Sequence, residues 1–473
     1  MNRLTALDVG FLKAEDADRH VSLAMGGLAT IQGPLPDSDT LMSTLTRRIL
    51  ALPPLGQRLR LSPFDLGAPE WVSDPEFDVA RHLFRVAVPQ PGDDQELFRL
   101  VADVMSRRLD RDRPLWEIWI IEGLCDDRWA MLAKVHHCMA DGIAATHLLA
   151  GLFDDGIGES SRPGMRAVKG GHRVGPRDGV AASSPLGWLG RLWNASTTIA
   201  TAATRTAVGA ADITASLVRS SSSPLNGPIG TRRRYCAARV SLRDVERVCK
   251  KFGVTINDVG LAAITESYRN VLIRRGEQPT ADSLRTLVPV SVRSADFFDR
   301  TDNRLLAMLP CLPVEEENPV QRLRLVHARM GRAKSNGQRQ AGSILVSLAD
   351  NIPFPLTAFG VGLFTRLPQR GVVTLATNVC GPPEPLQMMN CTVLSLLPVP
   401  PIAMQLRTGV AMLSYAQDLF FGVLADYDAV ADVIELAKGI EVAIARLVAI
   451  SSRRASPRRN HSVFAIPTST GRR

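Results

Sequence analysis

The chain has no run of about 18 uncharged apolar residues, so nothing in it reads as a membrane-spanning helix. The nearest approach, "VLSLLPVPPIAMQL", is shorter and carries three prolines. An apolar leader is missing too: "MNRLTALDVGFLKAED" meets Lys13, Glu15 and Asp16 before a hydrophobic stretch develops, which argues against a secretory signal. The seven cysteines are scattered, odd in number and never spaced C-x-x-C. That distribution argues against a disulfide framework or a structural zinc site and fits the reduced thiols of a cytoplasmic protein. No repeat of solenoid period is visible. Acids are absent from 453–473, which hold six arginines, and sparse in 156–186, with two against five Lys/Arg. These two stretches account for the whole net charge of +9. The remainder is balanced and offers no nucleic-acid groove. The basic stretches read as solvated tails, with contact to an anionic membrane surface as the second reading.

What is present is an apolar fraction of 45% over 473 residues, enough to bury the cores of two domains or more. Up to about residue 155 the pattern is mixed α/β. "LMSTLTRRILAL" and "DQELFRLVADVMSRRL" have helical spacing, the second with Leu97, Leu100, Val101, Val104 and Met105 on one side. "LFRVAVPQP" is a short strand, and "LWEIWIIEGL" pairs with "WAMLAKVHH" across the polar turn "CDDR". "IAATHLLAGLF" is the next helix. The Gly, Ser, Pro and basic composition of 156–186 marks a linker. It leads to an Ala/Thr-rich helix at 187–218, whose Trp188 and Trp193 suit a surface. A second α/β region follows, with helices at 242–253, 256–276 and 318–335 and strands at 285–294, 304–314, 371–381 and 419–428. The expected division is 1–155, a linker and surface helix at 156–230, 231–455, and a disordered tail at 456–473.

The stretch "KVHHCMADGIAATHLLAGLF" (134–153) puts two histidines where a strand hands over to a helix, a place where catalytic groups are commonly mounted. Adjacent residues on a strand face opposite sides, so at most one of His136 and His137 serves a given cleft. A metal site needs three or four convergent ligands, and His137 with Asp141 supplies two, so no metal is expected. One imidazole, titrating near neutrality, suffices to take a proton from an alcohol that attacks a thioester directly. Gly142 allows close backbone approach or an unusual turn. Cys138 is the covalent alternative, but beside His137 on a strand end it points away from it. The isolated His82, His147 and His327 read as satisfied core residues.

The segment His136-His137-Cys138-Met139-Ala140-Asp141-Gly142 resembles the HHxxxDG motif of coenzyme-A-dependent acyltransferases, among them chloramphenicol acetyltransferase and peptide-synthetase condensation domains. Further blocks are similar, in order, to the bacterial wax ester synthase/diacylglycerol acyltransferase family. They are "TALDVGFLKAED", Pro114-Leu115-Trp116, "LNGPIGTRRRY", "TINDVGLAA", "VPVSVRS" and "ATNVCGPPEPL". The resemblance implies two chloramphenicol-acetyltransferase-like α/β (α+β) domains, mixed sheets flanked by helices, with an active-site tunnel between them. It implies His137 as general base, His136 and Gly142 in support, and Asp141 structural and paired with an arginine, for which Arg58 is the candidate. Asn257 and Asp258 would approach from the second domain, Asn257 either bonding an oxyanion or capping a helix. Pro114, Leu115 and Trp116 would support the site, with core packing as the competing role. Acyl-CoA is the implied co-substrate, with no permanently bound cofactor, and diacylglycerol or a long-chain alcohol the implied acceptor. Asp302-Asn303 and Cys380 depart from the family's usual Gly-Asn and proline, which puts substrate preference in question. Two other readings stay open: acyl transfer to a natural-product hydroxyl or amine, and a catalytically silent lipid-surface protein. Thiol release from free acyl-CoA separates the first, and liposome binding without acyl transfer the second.

Overall fold

A computed structural model of the chain describes residues 3–62, 67–140, 142–154, 223–291, 305–335 and 371–452. The expected linker, the Trp-bearing helix, the tail, Asp141 and the pair Asp302-Asn303 lie outside these residues, as does the side chain of His147. The first half runs α1 (Ala6–Ala17), β1 (Ala24–Gln32), α2 (Ser38–Leu50), β2 (Gln57–Arg60), β3 (Glu70–Ser73) and β4 (Leu83–Ala87). It continues with α3 (Asp94–Ser106), β5 (Trp116–Leu124), β6 (Arg128–His136) and α4 (Gly142–Ala150). The second half begins with β7 (Arg233–Ser241), α5 (Leu242–Phe252), α6 (Ile256–Arg274), β8 (Thr286–Ser291), β9 (Leu305–Met308) and α7 (Pro319–Ser335). After these come β10 (Thr374–Cys380), β11 (Gln387–Met388), β12 (Cys391–Val399), β13 (Thr408–Tyr415), β14 (Asp418–Asp426) and α8 (Val433–Ser452).

Local chemistry explains the elements nearest the histidines. Asp93 caps α3 by accepting the Gln95 and Glu96 N–H groups, and Leu97, Val101, Val104 and Met105 form its buried stripe. The other end of α3 is met by the buried Lys134, whose Nζ donates to the Val104 and Arg107 carbonyls at 2.9 and 2.7 Å. A cation there complements the helix dipole. The β5–β6 hairpin turns through Asp126 and Asp127 with φ of 61° and 50°, a conformation that Asp tolerates.

Two six-stranded sheets carry the fold, in the orders β11-β12-β1-β6-β5-β4 and β7-β14-β13-β10-β8-β9. They share a plan. In β1-β6-β5-β4 the successive pairings are antiparallel, antiparallel and parallel, and in β7-β14-β13-β10 they are the same. The registers correspond as well: Ala24 opposes His136 and Arg233 opposes Asp426, while Trp116 opposes Val135 and Thr408 opposes Ala425. His136 and Asp426 therefore hold equivalent positions. Asp426 accepts the N–H groups of Gly230, Asp428 and Ala429, so in the second half this corner fixes the turn after β14 and ties it to the segment before β7.

One strand crosses between the halves of the chain. β12, from the second half of the chain, pairs antiparallel with β1 and so completes the first sheet, Gly27 opposing Pro398. One edge of β12 then lies directly on the second sheet. The Pro398 carbonyl accepts the Tyr235 hydroxyl at 3.0 Å, and a Cβ on Gly422 would stand 1.6 Å from that oxygen. The first core accordingly includes Leu396, Val399, Leu413 and Phe420 beside residues of β1 and β6. All seven cysteines are free thiols.

Candidate active site

At the end of β6 the two-residue strand period separates the histidines. The odd-numbered side chains Ala133, Val135 and His137 line a cavity of about 130 Å³ together with Met25 and Gly27 of β1. The even-numbered Lys134 and His136 turn to the opposite face, where α1 and α3 lie. The cavity's other walls come from α4, β8, β10, β12 and β13, so both halves build it, and most of its surface is apolar. Gly27 and Gly142 let the walls close: a Cβ on Gly27 would come within 2.4 Å of Leu149, and one on Gly142 within 3.0 Å of Val379 in β10.

His137 donates its backbone N–H to the Leu23 carbonyl at 3.0 Å, and its ring lies 4.4 Å from that of Phe11. Desolvation pulls its pKa down to about 4; a hydrogen bond to its own carbonyl opposes the shift, and the nearby His136 adds to it. The ring is therefore neutral at pH 7, the form that accepts a proton. We expect kcat/KM to hold between pH 7 and 5.5, where an unshifted imidazole would lose about nine-tenths of its base form. A fall in kcat/KM centred near 6.5 would refute this assignment.

Behind the motif stands α1. Thr5 and Asp8 form a capping box at its start, and Asp8, Phe11 and Glu15 fall on one helical stripe. Phe11 backs His137, and Glu15 Oε1 lies 3.2 Å from His136 Nε2. Burial alone would raise the Glu15 carboxyl. The His136 ring, the Leu23 N–H at 2.6 Å and Arg111 at 3.0 Å overcome it and hold the pKa at about 2. Because the folded pKa lies below the free value of 4.5, this stabilisation is complete above pH 4.5 and fades as pH falls towards 2. We expect Glu15→Gln to cost roughly 3 kcal/mol at pH 7, as removing one partner of a buried pair does, with the difference from wild type shrinking below pH 4.5. Urea unfolding at several pH values measures it.

Cys138 gives its backbone N–H to His136 Nδ1 at 3.1 Å, and its thiol lies 2.9 Å from the same nitrogen. Burial pushes the thiol pKa well up, and the carboxylates of Asp8 and Glu15 push it further. The sulfur is thus engaged away from His137 and poorly suited to nucleophilic attack.

The other sequence candidates sit as follows. Pro114, Leu115 and Trp116 are buried outside the cavity; the Leu115 carbonyl accepts the His136 N–H at 3.0 Å, and Trp116 Nε1 donates to the Leu55 carbonyl at 2.7 Å. His82 stacks on Trp116 and bonds its carbonyl, a satisfied core histidine. His327 is not one: its side chain is 53% exposed and its Nδ1 lies 2.8 Å from Asp258. Asp258 is the N3 residue of a capping box whose N-cap is Thr255, and neither it nor Asn257 lines the cavity. Arg58, the candidate partner of Asp141, stands 3.7 Å from Asp74, and Asp141 itself lies outside the described residues. The polar groups that the second half does bring to the cavity are Thr377 and Asn378, on β10. They lie inside the block "ATNVCGPPEPL", whose alternating strand pattern is the one hint of them in the sequence. Among the described residues no cluster of His, Cys, Asp or Glu could hold a metal ion.

Comparison with known proteins fits this geometry. The fold matches the first condensation domain of the CDA synthetase with a TM-score of 0.60 at 14% identity, over 96% of this chain and 97% of that one. It matches the wax ester synthase/diacylglycerol acyltransferase from Marinobacter aquaeolei VT8 with a TM-score of 0.68 at 23% identity, over 96% of this chain and all of the other. These matches define the fold as the two-domain condensation/acyltransferase fold. Residues 4–260 match the wax ester synthase/diacylglycerol acyltransferase catalytic domain, and 301–448 match the WS/DGAT C-terminal domain. The chain belongs to the wax ester synthase/diacylglycerol acyltransferase family. It is 59% identical to a probable diacylglycerol O-acyltransferase of Mycobacterium tuberculosis (strain ATCC 25618 / H37Rv), over 98% of this chain and 100% of the relative. The O-acyltransferase WSD of Acinetobacter baylyi is 28% identical, over 90% and 92% respectively.

Proposed function

We propose that the protein moves a long-chain acyl group from acyl-CoA to the hydroxyl of diacylglycerol, with long-chain alcohols as a second acceptor class. The observation that carries this reading is a single neutral imidazole, His137, in an apolar cavity that both halves of the chain enclose. The imidazole takes the hydroxyl proton as the alcohol oxygen bonds to the thioester carbon. The C–S bond then breaks, and the departing thiolate recovers the proton from the imidazolium. No acyl-enzyme forms, since Cys138 is committed to His136. The Thr377 hydroxyl, on the same β10 face as Leu375 and Val379, is the neutral donor that the second half offers to the developing oxyanion. The extent of identity to the mycobacterial relative supports diacylglycerol as the main acceptor.

Such an acceptor resides in lipid, so we place the enzyme at the cytoplasmic face of a membrane or lipid droplet, in peripheral contact. No helix among the described residues is long and apolar enough to cross a membrane. The test is full-length protein with palmitoyl-CoA and dioleoylglycerol, following free thiol and triacylglycerol. Equal release of both is expected, and thiol release without an acylated product overturns the reading. A competing long-chain alcohol in the same assay ranks the acceptors.

A further inference from the structure

On the far side of the first sheet from His137, α3 faces β7 and the start of α8 across a second cavity of about 540 Å³. That size lies within the roughly 300–1,000 Å³ of ordinary ligand sites. Its wall carries five cationic side chains, Arg99, Arg232, Arg233, Arg234 and Lys438, against two carboxylates, Asp94 and Asp103. Both carboxylates are engaged by arginines outside the cavity, Asp94 by Arg128 at 3.2 Å and Asp103 by Arg107, while Arg99 and Arg232 are themselves paired with Glu96 and Asp428.

The cations are organised rather than scattered. The guanidinium carbons of Arg232 and Arg234 lie 3.9 and 3.7 Å from the centroid of the Tyr427 ring, the stacked arrangement in which an arginine keeps its N–H edge for another partner. Arg234 Nε donates to the Tyr427 carbonyl at 2.8 Å. Buried Arg233 donates to the carbonyls of Gly230, Arg232 and His20 and anchors the strand beneath. Beside this charged wall the cavity is apolar: Phe98 meets Tyr235 edge-on, and Ile434, 44% exposed, lines the opening. Like charges held together beside an apolar floor match a phosphate group on an apolar or aromatic body.

We propose that this cavity binds the phosphate of such an amphiphile, with Arg234 and Lys438 as its principal contacts. Two sources share the chemistry: the phosphates of coenzyme A and the headgroup of an anionic phospholipid. Equilibrium binding to the full-length chain distinguishes them, using adenosine 3′,5′-bisphosphate and coenzyme A as one arm and phosphatidylglycerol-containing phosphatidylcholine vesicles as the other. Arg234→Gln and Lys438→Gln each weaken the occupant's binding about tenfold, and the double variant about a hundredfold, as the loss of charge-assisted hydrogen bonds implies. Weakening in the nucleotide arm identifies coenzyme A, and weakening in the vesicle arm identifies the lipid. Wild-type affinity of the double variant for every probe overturns the site. Lys438→Gln alone keeps the test decisive should Arg234→Gln unfold. Binding is read without turnover and is expected to persist in His137→Ala, so failure here leaves the acyl-transfer reading standing, and the reverse.

Discussion

Replacing His137 with alanine is expected to lower acyl transfer from acyl-CoA to diacylglycerol by about 10²–10⁴-fold in kcat, the contribution of a positioned general base. The loss should fall on kcat more than on KM. The cavity wall formed by Met25, Gly27 and Val135 remains in place, and it is the proton acceptor that disappears. Cys138→Ala is the matched control. It removes a buried thiol whose partner is His136, so turnover should stay within a few-fold of wild type. His136→Ala should behave differently from both. It leaves the Glu15 carboxylate buried beside Arg111 without its imidazole neighbour, so the effect appears first as lost stability. Turnover at the wild-type rate in His137→Ala would remove this residue from the mechanism, whatever the other two variants do.

Gly422→Ala should cost about 3 kcal/mol or more of stability, at the upper end of overpacking effects. The added methyl would meet the Pro398 carbonyl oxygen at 1.6 Å, a backbone atom that cannot rotate away. Relief requires β12 to move off β14, which breaks the Tyr235 hydroxyl bond to the same oxygen and shifts the wall at Pro398 and Val399. Activity should therefore fall along with stability. Gly253→Ala provides the contrast. That glycine has φ +68°, and an added methyl would meet nothing within 4 Å, so only the left-handed backbone is penalised, by roughly 1 kcal/mol. Urea unfolding of the two variants side by side separates close packing from backbone conformation. Equal losses would mean that the contact between β12 and β14 contributes nothing.

Some of this was legible in the sequence and some was not, for identifiable reasons. The β5–β6 hairpin, α3 and the opposed faces of the two histidines follow from local periodicity and turn chemistry, which need no distant partner. β1 escaped because two of its nine residues are the adjacent glycines Gly26 and Gly27, which are poor in strands by themselves. They are there because Leu149, Met105 and Val399 approach them closely. β12 escaped because of Pro398, tolerated where the strand has passed beyond its short partner β11. At the site, the spacing of Asp8, Phe11 and Glu15 announces one face of a helix, but nothing local says that this face meets His136 and His137. Likewise "TIND" announces a capped helix start. Its placement away from the cavity, and the arrival of Thr377 and Asn378 in its stead, are decided by tertiary packing alone.

The insertion of β12 into the first sheet has a consequence for the newborn chain. When β1 and β6 have left the ribosome, the strand that will cover the other edge of β1 has yet to be translated. At about 5–20 residues per second, residue 399 follows residue 136 by roughly 13–53 s. Throughout that interval an open strand edge is exposed, and such edges recruit other chains. A fragment that stops after the HHxxxDG segment never closes that edge. The protein thus finishes the half that carries its chemistry with a strand from the last fifth of its sequence.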